Sequence, residues 1–225
     1  MNHAASVDVI FPALDEEAGL ARILPRLPTG YRAIVVDNGS TDKTVEVSES
    51  FGALVVSAAQ RGFGAACWEG FCAATASVVA FCDADGSFDT AELPRVCDPV
   101  SRGEVDLMLG RRISSKGAWP IHARAANWYL TRIIRRRTGL DLHDLGPMRA
   151  MRRNALAELG MIDRRSGWPL EMVLRASYND WSIREVDVSY SPRLGKSKVT
   201  GTAKGTAIAI KDMTRIFREV TDEGI

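Results

Sequence analysis

Short apolar blocks alternate with longer stretches of mixed polarity through the first half of the chain. Val7 to Phe11 is such a block, ended by Pro12, and has the pattern of a buried strand. Asp15, Glu16 and Glu17 then open a stretch whose apolar positions, Leu20, Ile23, Leu24 and Leu27, repeat at helical spacing. Acidic residues in a first turn are favoured by the helix dipole. The same alternation continues with a strand at Ala33–Val36, a helix from about Thr44 to Phe51, and a strand at Ala53–Ser57. A helix rich in small residues at Ala65–Ala76 and a strand at Ser77–Cys82 complete it. This βαβαβαβ order predicts an α/β fold, a Rossmann-like, mainly parallel sheet flanked by helices.

The second half is read less regularly. Leu93–Arg102 is expected to be a helix, Val105–Gly110 a strand, and Ala123 to Arg137 a helix after Trp119-Pro120. Ala150–Leu159 and Leu170–Tyr178 are predicted as helices and Ile183–Ser189 as a strand. Arg193–Gly205 is predicted as a Gly/Ser/Thr/Lys loop, and Ile210, Met213, Ile216, Phe217 and Val220 recur at helical spacing. No internal repeat, low-complexity tract or linker interrupts the 225 residues, so we expect one domain over 1–225.

Charge changes this picture more than composition does. Residues 1–110 carry 7 Lys/Arg against 16 Asp/Glu, although the whole chain is balanced at +1. The basic excess therefore lies beyond residue 110. No acid occurs between Asp106 and Asp141, nor between Asp187 and Asp212. An acidic and a basic half suit a site that holds a cation beside phosphates, or a surface that meets an anionic lipid. No nucleic-acid reader motif accompanies the charge, and no nucleic-acid partner is expected. No run approaches the roughly 18 apolar residues of a membrane span. The opening MNHAASVDVIFP does not read as a secretory signal. Cys67, Cys72, Cys82 and Cys97 lack metal-ligand spacing and read as reduced thiols, which points to a cytoplasmic setting.

Ligands of open α/β sheets sit beyond the carboxyl ends of the strands. Three polar clusters fall there: Asp15 after the first strand, Asp37 after the second and Asp83-Ala84-Asp85 after the fourth. Two carboxylates separated by one residue repel each other unless a cation, solvent or bonded donors relieve them. Such hard oxygen ligands suit Mg²⁺ or Mn²⁺ bound jointly with substrate phosphates.

Taken in order, the motifs Phe11-Pro12-Ala13-Leu14-Asp15-Glu16-Glu17, Val36-Asp37-Asn38-Gly39-Ser40, Arg61-Gly62-Phe63-Gly64 and Asp83-Ala84-Asp85-Gly86 resemble family-2 inverting glycosyltransferases of the GT-A fold. The resemblance continues through Gly110-Arg111-Arg112, His143-Asp144-Leu145-Gly146-Pro147, Gly167-Trp168-Pro169-Leu170-Glu171 and Arg193-Leu194-Gly195-Lys196-Ser197-Lys198. These later motifs are similar to the dolichyl- and polyprenyl-phosphate sugar synthase branch. The resemblance implies an enzyme that moves a hexose from a nucleotide-sugar to a lipid-linked phosphate at the cytoplasmic membrane face, with a soluble hydroxyl acceptor as the alternative. It divides the chain into a nucleotide-sugar-binding part, 7–110, and an acceptor-binding part, 111–225.

Residue by residue, the resemblance puts Pro12, Asp15, Asp37 and Gly64 at the donor and Asp83 and Asp85 at the metal. The family's frequent second Asp after the second strand is Asn38 here. Arg193, Lys196 and Lys198 are expected to close over phosphates, and Arg112 and Arg124 to meet the acceptor phosphate. Asp144 and Glu171 are the candidate acceptor-side carboxylates. With a hydroxyl acceptor Asp144 would be the general base; a phosphate acceptor is already ionised, and Asp144 would then orient groups. His3, His122 and His143 form no triad with a serine and read as structural or exposed.

Overall fold

The computed structural model describes residues 6–115, 117–195 and 203–222. Its strands are β1 (Val7–Ala13), β2 (Tyr31–Asp37), β3 (Leu54–Ser57), β4 (Val78–Phe81), β5 (Leu107–Ser114), β6 (Arg149–Arg152) and β7 (Ile183–Tyr190). The helices are α1 (Glu17–Ile23), α2 (Thr44–Ser50), α3 (Phe63–Ala73), α4 (Leu93–Ser101), α5 (Ile121–Thr138), α6 (Arg153–Glu158), α7 (Trp168–Tyr178) and α8 (Ala203–Asp222). The strands form one sheet in the order β3-β2-β1-β4-β6-β5-β7. All neighbouring pairs are parallel except those of β6, which runs against both β4 and β5.

Successive residues of β1 show why the strands read as unbroken apolar blocks. Val9 and Phe11 pack on one face with Leu20, Leu93 and Val96, while Ile10 packs on the other with Ala66, Phe71 and Trp168. A sheet covered on both faces leaves no polar face to alternate with. α1 and α4 thus lie on one side, and α3, α5, α7 and α8 on the other.

One buried polar position holds the far end of β1. Asp8 is fully buried, and its carboxylate accepts a two-pronged pair from Arg32 of β2 at 2.7 and 2.8 Å. It also accepts the Thr75 and Ala76 amides at 2.6 and 2.8 Å. Burial alone would raise its pKa; the Arg32 fork and the two amides hold it below the usual carboxylate range.

The predicted helix at Ala150–Leu159 is not what forms. Arg149–Arg152 is the antiparallel strand β6, and only Arg153–Glu158 is helical. Ala150 faces one helical layer and Met151 the other, so a short strand whose first three residues are buried presents no period-2 signal. The predicted Arg193–Gly205 loop falls partly outside the described residues, as do Lys196 and Lys198; by Ala203 the chain is already in α8.

Candidate active site

β1, β2 and β4 end at Ala13, Asp37 and Phe81 along one edge of the sheet. The segments beyond them surround a cavity of about 500 Å³. Pro12, Ala13, Leu14 and Glu16 line it from the first crossing, Asn38 from the second and Asp83, Ala84 and Asp85 from the fourth. Leu145, Pro147, Ser166, Pro169 and Arg193 close the remaining sides.

The two turns on the donor side are tied together by side chains. Asp15 has a positive φ of 51° and accepts from the Thr41 amide at 2.7 Å, while its own amide donates to the Ser40 hydroxyl. Asp37 turns its carboxylate onto the Gly39 and Ser40 amides of its own loop. Neither Asp15 nor Asp37 is among the cavity-lining residues. Asn38 explains the departure from the family's second Asp. Its amide nitrogen donates to the Gly62 carbonyl and its oxygen accepts the Gly62 N–H, both at 3.3 Å. A carboxylate has no donor for the first of these.

Gly64 is expected at the donor, but the space beside it and beside Gly62 is taken by protein. A Cβ on Gly62 would lie 2.3 Å from the Arg164 carbonyl oxygen, and one on Gly64 2.8 Å from the Asp163 carbonyl oxygen. The Gly64 and Ala65 amides donate to the Arg165 and Arg164 carbonyls at 2.8 Å each. The start of α3 is thereby seated on the 163–165 segment. Gly62 still lines the cavity; Gly64 does not.

Asp83 and Asp85 dominate the electrostatics. Burial, and then the charge of Asp85, push the Asp83 carboxyl up to about 7, against the pull of Arg112, Arg193 and Arg149. Asp85 accepts the Ser87 amide with one oxygen and faces the Arg193 guanidinium at 3.2 Å with the other. Two carboxylates separated by one residue, one of them desolvated and the other facing a guanidinium, fit a divalent cation. Among the described residues no third Asp, Glu, His or Cys joins them in a cluster. Diphosphate oxygens and water would complete the coordination, the usual arrangement for Mg²⁺.

Arg112 and Asp144, both expected on the acceptor side, pair with each other and are not among the cavity-lining residues. Arg112 donates its Nε and Nη2 to the two Asp144 oxygens at 2.8 and 2.6 Å, and its backbone amide to the same carboxylate at 2.9 Å. Its guanidinium lies 3.9 Å over the Trp119 ring. Arg124 is exposed in the first turns of α5, and no described contact joins it to Arg112.

Glu171 is the clearest departure from expectation. It is buried, and its oxygens accept the Ile162 amide at 2.8 Å, the Asp163 amide at 2.7 Å and Arg175 Nε at 2.8 Å. It is not among the cavity-lining residues. The carboxylate anchors the segment that seats α3, and no free oxygen remains for proton transfer.

Arg149 was not singled out from the sequence. It is buried on β6 opposite Phe81, and donates to the Gly146 and Pro169 carbonyls, so it ties together two turns of the cavity wall. Burial lowers its pKa to about 10. It carries no separate signal in the sequence, standing beside Arg152 and Arg153 just after the Gly146-Pro147 turn.

Known proteins share this fold. The glycosyl transferase family 2 profile matches residues 8–160, and the chain belongs to that family. It is 46% identical to an uncharacterised glycosyltransferase of Mycobacterium tuberculosis over 94% of this chain and 98% of that protein. It is 30% identical to the dolichyl-phosphate hexose transferase of Haloferax volcanii, over 94% of this chain and 93% of the relative. Among solved structures, glucosyl-3-phosphoglycerate synthase of M. tuberculosis, in complex with Mn²⁺, UDP-glucose and phosphoglyceric acid, superposes with a TM-score of 0.75 at 21% identity. That match covers 96% of this chain and 79% of the other, and the shared architecture is GT-A.

Proposed function

We propose that this glycosyltransferase moves a hexose from a nucleoside-diphosphate sugar to a polyprenyl (dolichyl-type) phosphate at a membrane face, with Mg²⁺ or Mn²⁺ held by Asp83 and Asp85. The observation that carries the reading is the Asp83–Asp85 pair on the wall of a cavity of about 500 Å³, with Arg193 already drawn onto Asp85. When bound, the cation supplies charge stabilisation to the leaving diphosphate. Arg193, ion-paired to Asp85, adds to it. Pro12, Asp15 and Asp37 shape the donor side, with Lys196 and Lys198 assigned to the phosphates by the family motif alone.

In an inverting transfer the acceptor oxygen forms its bond to the anomeric carbon as the bond to the diphosphate oxygen breaks on the other face. A phosphate monoester is already an anion near neutral pH and needs no proton removed. The saturated Asp144 carboxylate suits this chemistry: it orients Arg112 and leaves the guanidinium's remaining N–H groups for the acceptor phosphate, with Arg124 as a second ligand. A relative named as a dolichyl-phosphate hexose transferase supports the acceptor class.

The donor is tested by thermal shift. In Mn²⁺, one of UDP-, GDP- or dTDP-sugars is expected to raise the melting temperature, since a ligand at 100 times its Kd adds about 2.7 kcal/mol. Stabilisation by none of them, or equally without divalent cation, contradicts the proposal.

A further inference from the structure

We infer that the outer face of α5 is a docking surface for an anionic lipid bilayer. The assignment goes beyond the donor and acceptor chemistry, and rests on the proposed function only in that a lipid-linked acceptor makes such docking useful.

At 3.6 residues per turn, Ile121, Arg124, Trp128, Tyr129, Arg132 and Arg136 fall within about 140° of the helix circumference. All six are exposed. Ile121 is 83% exposed and Trp128 and Tyr129 are each 63% exposed, which makes them the three most exposed large apolar side chains described. The opposite face is committed to the fold. Ile134 is in the core, and Asn127 donates to the His143 carbonyl at 3.0 Å and accepts the Leu145 amide at 3.1 Å. The helix is therefore tied to the His143–Leu145 turn, with its aromatic face outward.

Charge identifies the occupant. Arg124, Arg132 and Arg136 have no acidic partner among the described residues, and Arg132 lies 5.8 Å over the Trp128 ring. No acid occurs from residue 107 to residue 140. Arginines beside Trp, Tyr and Ile on one helix face are the composition of an interfacial helix, with rings at headgroup depth and guanidinium groups on lipid phosphates. A second copy of the chain is disfavoured, because face-to-face pairing brings these arginines together. A nucleic acid would satisfy the arginines but leave Ile121 without an apolar neighbour.

The test uses the whole chain and vesicles of phosphatidylcholine, with or without phosphatidylglycerol, free of any polyprenyl phosphate. Flotation is expected with phosphatidylglycerol at low salt, weakening at high salt. Each arginine near an anionic surface contributes about fivefold to partitioning, so Arg132→Gln with Arg136→Gln should weaken binding roughly 25-fold. Trp128→Ser with Tyr129→Ser should remove the binding that survives high salt. Brominated lipids should quench the wild type's fluorescence, and Trp128→Phe should float normally while losing most of that quenching. Circular dichroism confirms that each variant is folded. The inference is overturned if the wild type ignores anionic vesicles, if quenching persists in Trp128→Phe, or if the arginine pair is neutral. Preference for DNA over vesicles, or a dimer dissolved by Trp128→Ser, also overturns it. Transfer to a water-soluble short-chain polyprenyl phosphate is scored separately. Transfer without docking sinks only the surface assignment, and docking without transfer sinks only the acceptor.

Discussion

Glu171 separates a chemical role from an architectural one, and Glu171→Gln is the variant that distinguishes them. The carboxylate receives the Ile162 and Asp163 amides and Arg175 Nε, at 2.7 to 2.8 Å, in a position 1% exposed. Glutamine keeps one acceptor oxygen but turns an NH₂ group toward donors that need an acceptor. It also removes the counter-charge of Arg175, itself only 5% exposed. Breaking a buried pair by removing one charge costs about 3–5 kcal/mol. For a chain of this size each kcal/mol moves the melting temperature by about 2–4 °C, so a fall on the order of 10 °C is expected. Because Glu171 anchors the segment on which the start of α3 is seated, KM for the donor should rise while kcat, measured below the transition, stays within a fewfold of wild type. Scanning calorimetry beside steady-state kinetics reads both. A native melting temperature with kcat reduced a hundredfold or more, the signature of a lost acid or base, would refute this reasoning.

Two further predictions concern protons. Asp83 without metal is pushed up to about 7, so a proton competes with the cation below that pH; Mn²⁺ affinity measured by calorimetry should fall about tenfold per pH unit below 7 and level off above it. An affinity independent of pH across that range contradicts the assigned carboxylate pair. Asp8 has a folded pKa held below its unfolded value near 3.9, so its stabilisation is present above that pH and lost as pH falls through the folded value. Asp8→Asn should lower the melting temperature at neutral pH, and the gap to wild type should narrow below about pH 4; a gap that does not change with pH counts against the Asp8–Arg32 account.

The first half of the fold was legible because each strand is an apolar block closed by a polar turn, as at Val36-Asp37-Asn38 and Phe81-Cys82-Asp83. The candidate site was legible for the same reason, since those turns mark the strand ends beyond which the cavity lies. β6 was not legible: its three buried residues, Arg149 to Met151, sit between two layers and carry neither a helical nor a strand period. Arg149 at its start draws its importance from two carbonyls, at Gly146 three residues before it and at Pro169 twenty residues beyond it. Gly64 and Glu171 lie off the cavity wall for a related cause. A motif fixes which residue is present, but not whether its space or lone pairs are taken by a neighbouring segment. Here the 162–165 segment takes both.

The central claim is metal-dependent transfer of a sugar to a lipid phosphate, and an organic-extraction assay tests it most directly. Wild-type protein is incubated with the radiolabelled nucleotide-sugar that stabilises it and a short-chain polyprenyl phosphate, with Mn²⁺ or with excess EDTA, alongside Asp85→Ala. The account predicts extractable label only for the wild type with Mn²⁺, and none in EDTA or in the folded Asp85→Ala variant. Equal transfer in EDTA, or label that never enters the organic phase while a soluble hydroxyl acceptor is glycosylated, would contradict it.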